Sequence, residues 1–369
     1  MTINHRNILL NPGPVTLSER VRQALLREDL CHREPEFAQL MLDIKSRLVS
    51  VYPEAVGNYE AIVLTGSGTC AVEAMLSSLI PQSGKALIVT NGVYGERMAK
   101  MVKIHQKNLV VVTSPWEEPM NCDAVEQHLT QDSSFTHVVA VHHETTTGRL
   151  NDIAKLGEIC RSRNVALLLD CVSSFGAENI QFSEWNLEAC AATVNKCLHG
   201  VPGLSFVLTK KSVFESRYTA ASSLYLDIYG YHQQQLEGYS PFTQSVQVSY
   251  ALQEALKELE EEGGWQSRNE LYKNRSQIIQ NSLQSLGIRT LLNYADYSCV
   301  LKSYRLPPDY SYYDIHKQLK KHKFIIYAGQ GGLEKTIFRI ANMGNIYHSE
   351  IQELIQCFEK LFLAKAIKL

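Results

Sequence analysis

The sequence predicts an α/β protein in which a mostly parallel sheet with helices on both faces is followed by a smaller C-terminal α+β domain. Between residues 59 and 210, short apolar runs rich in β-branched residues alternate with segments of helical periodicity. The runs are continuously apolar, as in strands that are covered on both faces. After residue 248 this alternation stops, and long helices and separated strands follow.

The predicted large sheet contains seven runs, at 59–65, 85–91, 109–114, 136–142, 165–170, 191–195 and 204–209. The segments 70–80 and 152–160 lie between runs and carry apolar residues at helical spacing. Before the first run, residues 36–52 form an amphipathic helical pattern. In such a sheet, ligands bind at the carboxyl ends of the strands, so the residues directly after each run are the candidates for chemistry.

The C-terminal part has a different order of elements. Two long helices are predicted at 246–262, closed by the pair Gly263-Gly264, and at 269–286, with Gly287 past the end. Strands at 298–304, 324–328 and 336–341 follow, with helices at 314–322 and 348–366. We therefore expect an N-terminal segment (1–15) packing near the active site, a large domain (16–247) and a small domain (248–369), since 369 residues exceed one typical core.

Composition excludes several classes of function. The chain is 45% hydrophobic and 20% charged with a net charge of -2, which gives no electrostatic footprint for nucleic acid. No window approaches the roughly 18 apolar residues of a membrane span, and the N-terminus lacks the apolar core of a signal peptide. Nine cysteines without C-x-x-C pairs indicate reduced thiols instead of disulfides or a metal site. We expect a cytoplasmic protein.

A short glycine-containing turn follows the first strand. Gly66, Ser67, Gly68 and Thr69 lead directly into a helix, where exposed N–H groups, the helix dipole and two hydroxyls can bind an anion. The turn could equally be a tight turn without a ligand. It lacks the lysine of a P-loop and the third glycine of a dinucleotide site, so it favours a single phosphate over ATP or NAD.

Two charged residues follow later strands. Asp170 closes an apolar run, where a carboxylate is costly unless a cation meets it, although a helix cap would also explain it. Lys196 follows the run 191–195; a lysine there is often a solvated surface residue. Together with the turn at 66–69, they match the needs of pyridoxal 5'-phosphate: a lysine to form the imine and an acid to keep the ring nitrogen protonated.

The sequence resembles the class V pyridoxal-phosphate-dependent aminotransferases, which have the fold-type I architecture, over essentially its whole length. The most specific motifs are HHETTTG (142–148) and NKCLHGVPG (195–203). The other segments that carry the resemblance are LLNPGPVTLSERV (9–21), TGSGTCAVEAML (65–76), TNGVYGERM (90–98), LLLDCVSSFGAE (167–178), ALKELEEEGG (255–264) and FRIANMG (338–344).

The resemblance implies a role for each matching residue. Lys196 would be the Schiff-base lysine and Asp170 the partner of the pyridine nitrogen, with Gly66, Ser67, Gly68 and Thr69 around the phosphate. Tyr94 would stack on the cofactor ring, and Thr145 would lie beside the ring hydroxyl. As alternatives, Tyr94 could be a core tyrosine and Thr145 a strand-end cap.

The resemblance also implies a set of residues for the substrate and for a second subunit. Arg339 would bind the acid group of the substrate through its guanidinium fork, unless it is a surface residue of an alternating strand. The loop 11–16, including Thr16, is a further candidate. Members of the family are homodimers, and Thr243 or Ser240 would reach the phosphate in the neighbouring subunit; Thr243 is slightly favoured.

The implied activity is transamination of 2-aminoethylphosphonate with pyruvate, giving phosphonoacetaldehyde and alanine in a reversible reaction. The segment LCHREPEF (30–37) resembles instead alanine:glyoxylate and serine:pyruvate aminotransferases, so a different amino donor stays open. A non-catalytic scaffold of the same fold is a third alternative, but such a scaffold would normally lack the lysine or the aspartate that this chain retains.

Overall fold

The computed structural model describes residues 6–216 and 219–366. Residues 1–5 of the predicted N-terminal segment and 367–369 of the predicted small domain lie outside this range. The chain folds as the predicted α/β protein, with a large, mostly parallel sheet covered by helices on both faces. The limits proposed for the three parts of the chain stay predictions.

The α-helices of the described residues alternate with strands in the first half and dominate the second. None of these helices combines the length and the apolar composition that crossing a membrane requires. They are α1 (Glu19–Ala24), α2 (Pro35–Ser50), α3 (Gly68–Leu79), α4 (Val93–Ile104), α5 (Cys122–Gln131), α6 (Ile153–Ser162), α7 (Ile228–Gln235), α8 (Val246–Glu261), α9 (Gly264–Ser285), α10 (Tyr312–Lys321) and α11 (His348–Ala366).

The strands form one large sheet and three small ones. In chain order they are β1 (Ile8–Leu9), β2 (Tyr59–Thr65), β3 (Lys85–Thr90), β4 (Asn108–Thr113), β5 (Phe135–Val141), β6 (His143–Glu144), β7 (Arg149–Leu150), β8 (Ala166–Asp170), β9 (Leu187–Thr193), β10 (Leu204–Lys210), β11 (Leu301–Arg305), β12 (Phe324–Ile325), β13 (Tyr327–Ala328) and β14 (Ile337–Ala341).

The large sheet has the order β2-β10-β9-β8-β5-β3-β4, and all seven predicted strands are confirmed. Only β10 runs antiparallel to its neighbours β2 and β9. Successive residues of the buried strands point to opposite faces, so Ala61 and Val63 pack with α2, α5, α6 and α8. Ile62 and Leu64 pack with α3, α4 and α7 on the other face. The sheet is therefore buried on both sides.

Two C-terminal expectations need correction. The predicted strand 324–328 is two strands: β12 pairs in parallel with β1, whereas β13 pairs with β14. Its two halves meet partners from distant parts of the chain, which local patterning does not reveal. The predicted helix 269–286 begins earlier, at Gly264, because Gly263 in the left-handed region (φ 96°) separates α8 from α9 by a single sharp turn.

Helix α9 joins the two halves of the molecule through buried polar side chains. Arg268 donates to the carbonyl of Cys197 at 2.7 Å and pairs with Glu262. The Tyr272 hydroxyl is hydrogen-bonded to the His199 ring. One turn later, Arg275 donates to three backbone carbonyls of the segment 342–346 after β14. The turn that follows β9 is thereby fixed against the C-terminal sheet.

The free edge of β2 is covered by a glutamine from α7. The Gln235 side chain is fully buried; its oxygen accepts from the Val63 amide at 2.9 Å, and its nitrogen donates to the Val63 carbonyl at 2.6 Å. An edge strand has unpaired backbone groups, which are costly when buried. One side chain therefore replaces the missing neighbouring strand at this position.

We expect Gln235→Ala to lower the free energy of unfolding by about 2–4 kcal/mol, because it leaves a buried amide and a buried carbonyl of Val63 unpaired. Denaturant-induced unfolding measures this change. Gln233→Ala, at an exposed position of the same helix, is the control and changes stability by less than about 0.5 kcal/mol. Equal stability of the two variants would contradict the edge-capping role.

Candidate active site

The predicted site residues converge at one edge of the large sheet. The turn 66–69 follows β2, Asp170 ends β8, and Lys196 lies three residues beyond β9. Gly68 connects them: a methyl group at its Cα would lie 2.8 Å from Val172 Cγ1 and 3.1 Å from Thr193 Cβ. Only a residue without a side chain allows the start of α3 to pack this closely against the ends of β8 and β9.

The amine of Lys196 lies inside the protein. The residue is 8% exposed, and its Nζ is 3.5 Å from Ser173 Oγ, which is a weak contact for a charged donor. The same nitrogen lies 5.8 Å from the centre of the Tyr94 ring. The N-terminal segment closes one side, since a methyl group on Gly13 would lie 3.0 Å from Lys196 Cγ. The amine therefore has a defined position but no strong hydrogen bond among the described residues.

Asp170 is a buried carboxylate close to this amine. Its Oδ1 accepts a hydrogen bond from the Val172 amide at 2.9 Å. Burial raises the pKa of Asp170, whereas the Val172 amide and the charges of Lys196 and Arg97 act in the opposite direction. A carboxylate in this setting can hold a proton on a basic ligand atom more strongly than a solvated one.

The turn 66–69 presents the N-terminus of α3. Ser67 is the N-cap residue, is exposed, and makes no side-chain capping bond within the described chain. The Thr69 hydroxyl lies 3.5 Å from Arg97 Nη1, and the turn itself is fixed by a 2.9 Å bond from the Gly66 amide to the Gly203 carbonyl. Uncapped amides, two hydroxyls and a nearby guanidinium suit an anion such as phosphate.

Glu144 organises the neighbouring part of the site and is not among the residues that the sequence predicts for it. This buried carboxylate accepts hydrogen bonds from the amides of Tyr94 and Thr146 and from the Thr146 hydroxyl. A side chain on Gly92 would clash with it, with a Cβ only 2.3 Å from Glu144 Cδ. Glu144 therefore caps α4 and links Tyr94 at the start of this helix to Thr146. The 142–148 motif contains Glu144, but its role follows only from the contact with Gly92 in the folded chain.

Arg339 lies on β14 and is fully buried, not on a solvated face. Its Nε donates to the Ala328 carbonyl at 2.7 Å, and its Nη1 donates to the Thr145 carbonyl at 2.7 Å. Nη1 also donates to Gln330 Oε1 at 3.1 Å. Nη2 has no hydrogen-bond partner among the described residues. Of the two terminal nitrogens expected to bind an acid group in a bidentate manner, Nη1 is already bonded to the protein and Nη2 remains available.

Three other predicted residues lie in different surroundings. The Thr16 hydroxyl accepts from the Leu9 amide at 2.8 Å, so the geometry lends no support to a substrate contact. Ser240 is buried, and its hydroxyl accepts from Gln244 at 2.8 Å. Thr243 is exposed, and its neighbour Gln244 is hydrogen-bonded to Thr65 at the end of β2.

Comparison with known proteins shows that the chain is an aminotransferase of the α/β fold. The family model for aminotransferase class-V matches residues 25–344, and the chain belongs to this family. It is 36% identical over 361 residues to the 2-aminoethylphosphonate–pyruvate transaminase of Bacillus cytotoxicus, covering 97% of this chain and 98% of the relative.

Solved structures of similar fold agree with this assignment. The alanine–glyoxylate aminotransferase of a Nostoc species has a TM-score of 0.89 with 25% identity and covers 96% of this chain and 95% of its own. The subgroup IV aspartate aminotransferase of Thermus thermophilus has a TM-score of 0.87 with 24% identity, covering 97% of this chain and 99% of its own. The latter similarity concerns the fold alone.

Pyridoxal 5'-phosphate is the cofactor of the family and of this chain. The residues present fit such a group. The uncapped start of α3 suits its phosphate, and Lys196 offers an amine with one weak contact. In addition, Thr145 Oγ1 and His143 Nε2 are buried without a hydrogen-bond partner in the part of the chain that the structure describes. Buried polar atoms normally have partners, and these two are available to a cofactor bound beside Lys196.

The two histidines of the 142–148 motif are neutral in the folded protein. Burial lowers the pKa of His142 to about 3, and the neighbouring His143 adds to this effect. Burial likewise lowers the pKa of His143 to about 4. Ring nitrogen Nδ1 of His142 is 3.0 Å from Ser174 Oγ, and that of His143 is 3.0 Å from the Ser173 carbonyl. Both rings thus support the segment after Asp170.

We expect the free energy of unfolding to fall as the pH is lowered from about 6.5 towards 4. An exposed histidine gains a proton near pH 6.5, whereas the folded protein keeps His142 and His143 neutral, so unfolding takes up protons. Each histidine contributes up to about 1.4 kcal/mol per pH unit. Denaturant titrations at several pH values should show that the free energy of unfolding falls less steeply with decreasing pH for His142→Gln than for wild type. The exposed His322→Gln is the control, and equal slopes for His142→Gln and wild type would contradict the prediction.

Proposed function

We propose that this protein transfers the amino group of 2-aminoethylphosphonate to pyruvate, producing phosphonoacetaldehyde and alanine, in either direction. The observation that carries the proposal is the convergence of Lys196, Asp170 and the uncapped start of α3 at one sheet edge. The 36% identity over nearly the full length to a 2-aminoethylphosphonate–pyruvate transaminase supports the choice of substrates.

Lys196 is proposed to bind the cofactor covalently and then to move protons. When bound, pyridoxal 5'-phosphate supplies an electron-withdrawing ring that stabilises negative charge on the substrate carbon. The Lys196 amine would hold the cofactor and, when free, would take a proton from the substrate carbon that carries the amino group and return a proton later in the reaction. The weak 3.5 Å contact with Ser173 supports this role, because the amine does not have to break a strong interaction first.

Other residues are proposed to orient the cofactor. Asp170 holds a proton on the ring nitrogen, which its burial favours, and Tyr94 covers a face of the ring. Gly66, Ser67, Gly68 and Thr69 bind the phosphate at the start of α3. The Thr145 hydroxyl, which has no hydrogen-bond partner among the described residues, would lie beside the ring oxygen.

Arg339 is proposed to bind the acid group of either substrate. Both 2-aminoethylphosphonate and pyruvate are small anions, and a guanidinium binds phosphonate and carboxylate oxygens. The unpaired Nη2 supports this assignment, because a buried cationic donor without a partner is costly. Thr16 was a second candidate for the acid group and has no comparable support.

We further propose a cytoplasmic homodimer. All nine cysteines are free thiols, as is typical of a reducing compartment. Thr243 is proposed to reach the cofactor phosphate of the neighbouring subunit. Its exposure supports this role, whereas the Ser240 hydroxyl is already engaged inside its own subunit.

A different amino donor is the main alternative, favoured by the segment 30–37. The purified protein, loaded with cofactor, is incubated with pyruvate or glyoxylate and with 2-aminoethylphosphonate, alanine or serine. Phosphonoacetaldehyde measures transfer from 2-aminoethylphosphonate, hydroxypyruvate measures transfer from serine, and glycine formed from glyoxylate with alanine measures transfer from alanine. A kcat/KM for serine or alanine that exceeds that for 2-aminoethylphosphonate would overturn the proposed donor.

We expect Lys196→Ala to lose covalent attachment of the cofactor and to reduce alanine formation by more than about a hundredfold, because both the attachment point and the proton carrier are removed. Borohydride reduction followed by peptide mapping locates the attachment. Lys302→Met, which replaces another buried lysine on β11, is the matched control and keeps both properties. A Lys196→Ala protein that still transaminates would end the assignment.

We expect Thr243→Ala to weaken cofactor binding about tenfold, through loss of one hydrogen bond to a charged group across the subunit interface. Fluorescence titration of the apoenzyme gives the dissociation constant, and analytical ultracentrifugation gives the oligomeric state. Ser240→Ala is the matched control; it loses stability through Gln244 but keeps its cofactor affinity. The reverse order of affinities would assign the contact to Ser240.

A further inference from the structure

Two of the three nitrogen atoms of Arg339 are hydrogen-bonded to the protein, and the third is available to a ligand. Nε donates to Ala328 and Nη1 to Thr145 and Gln330, whereas Nη2 has no partner within residues 6–216 and 219–366. A carboxylate that binds the fork of Nη1 and Nη2 must therefore compete with Gln330 for Nη1. This competition makes Gln330 part of the acid-binding end of the site.

The position of Gln330 is fixed by its neighbours in the loop 328–333. The Gly329 amide donates to the Ile337 carbonyl at 3.2 Å, and the Leu333 amide donates to the Gln330 carbonyl at 3.0 Å. Gly331 packs on Trp116, where a methyl group would lie 2.7 Å from the indole ring. Since the backbone on both sides is held, the half-buried side chain is presented to Arg339 in a defined orientation.

The orientation of the amide follows from the hydrogen bond to Arg339. A guanidinium only donates, so the Gln330 atom in contact with Nη1 is the oxygen. The amide nitrogen of Gln330 then has two N–H groups and makes no hydrogen bond within the described part of the chain. Because Nε2 and Oε1 share one carbon, Gln330 Nε2 is a second donor beside the Arg339 guanidinium, in addition to Nη2.

We propose that Gln330 determines the specificity for the acid group and favours a phosphonate over a carboxylate. Two donors on separate groups suit the diverging oxygens of a tetrahedral phosphonate. Without Gln330, Nη1 is freed from one of its two acceptors and can join Nη2 in the coplanar fork that matches a planar carboxylate. This inference rests on the proposed function, which places both acids at Arg339.

The test compares wild type with Gln330→Ala and with Gln330→Met, which keeps the volume but not the donor. Inhibition constants are measured for methylphosphonate and acetate as unreactive competitors of the amino donor. In both variants we expect the constant for methylphosphonate to rise about tenfold, from loss of a hydrogen bond to a charged group, while that for acetate stays within about twofold or falls. Gln253→Ala, a half-buried glutamine of α8 bonded to Asp43, is the control and leaves both constants unchanged.

Two results would overturn the inference: equal changes for methylphosphonate and acetate, or no change for either. The proposed function fails separately, if wild type does not use 2-aminoethylphosphonate. In that case the inhibition constants are measured with alanine as the donor. The changes for methylphosphonate and acetate between wild type and the Gln330 variants still decide the role of Gln330.

Discussion

Asp170 and Lys196 are both more than nine-tenths buried, so each has lost most of its contact with water; Asp170 accepts a hydrogen bond from the Val172 amide and feels the charge of Lys196, whose own contact with Ser173 is weak. A lone buried charge is expensive, and its removal from water is tolerated only when an opposite charge and fixed dipoles replace the solvent. The ends of β8 and β9 supply this arrangement. The close packing of Gly68 against Val172 and Thr193, and of Gly13 against Lys196, keeps the start of α3 and the N-terminal segment next to these two side chains.

The site also depends on contacts between distant parts of the chain. Arg339 comes from the C-terminal sheet, yet one of its hydrogen bonds is to Thr145 beside the large sheet. Helix α9 contributes Arg268 and Arg275, which hold the turn after Lys196 and the segment after β14. Because these guanidinium groups bind backbone carbonyls, the distance between Lys196 and Arg339 is fixed by buried hydrogen bonds.

In the proposed reaction one site serves two acids. The proposed phosphate site consists of backbone amides at a helix start, which bind an anion without adding charge, whereas the proposed acid-binding group, Arg339, is a full cation. A buried guanidinium with one unpaired nitrogen attracts any small anion. Discrimination between anions then comes from the groups that share the guanidinium, and Gln330 is such a group.

The sequence by itself determined the seven strands, the class of enzyme and the candidate residues Lys196, Asp170, Arg339 and 66–69, because apolar runs and strand-end motifs are local features. Glu144 and Gln330 emerged only from the tertiary structure, as did the antiparallel β10 and the division of 324–328 between two sheets. The physical reason is that burial and hydrogen-bond partners are properties of residues far apart in the chain. Glu144 acquires its role from Gly92 and the start of α4, and Gln330 acquires its role from Arg339; both contacts form only in the folded chain.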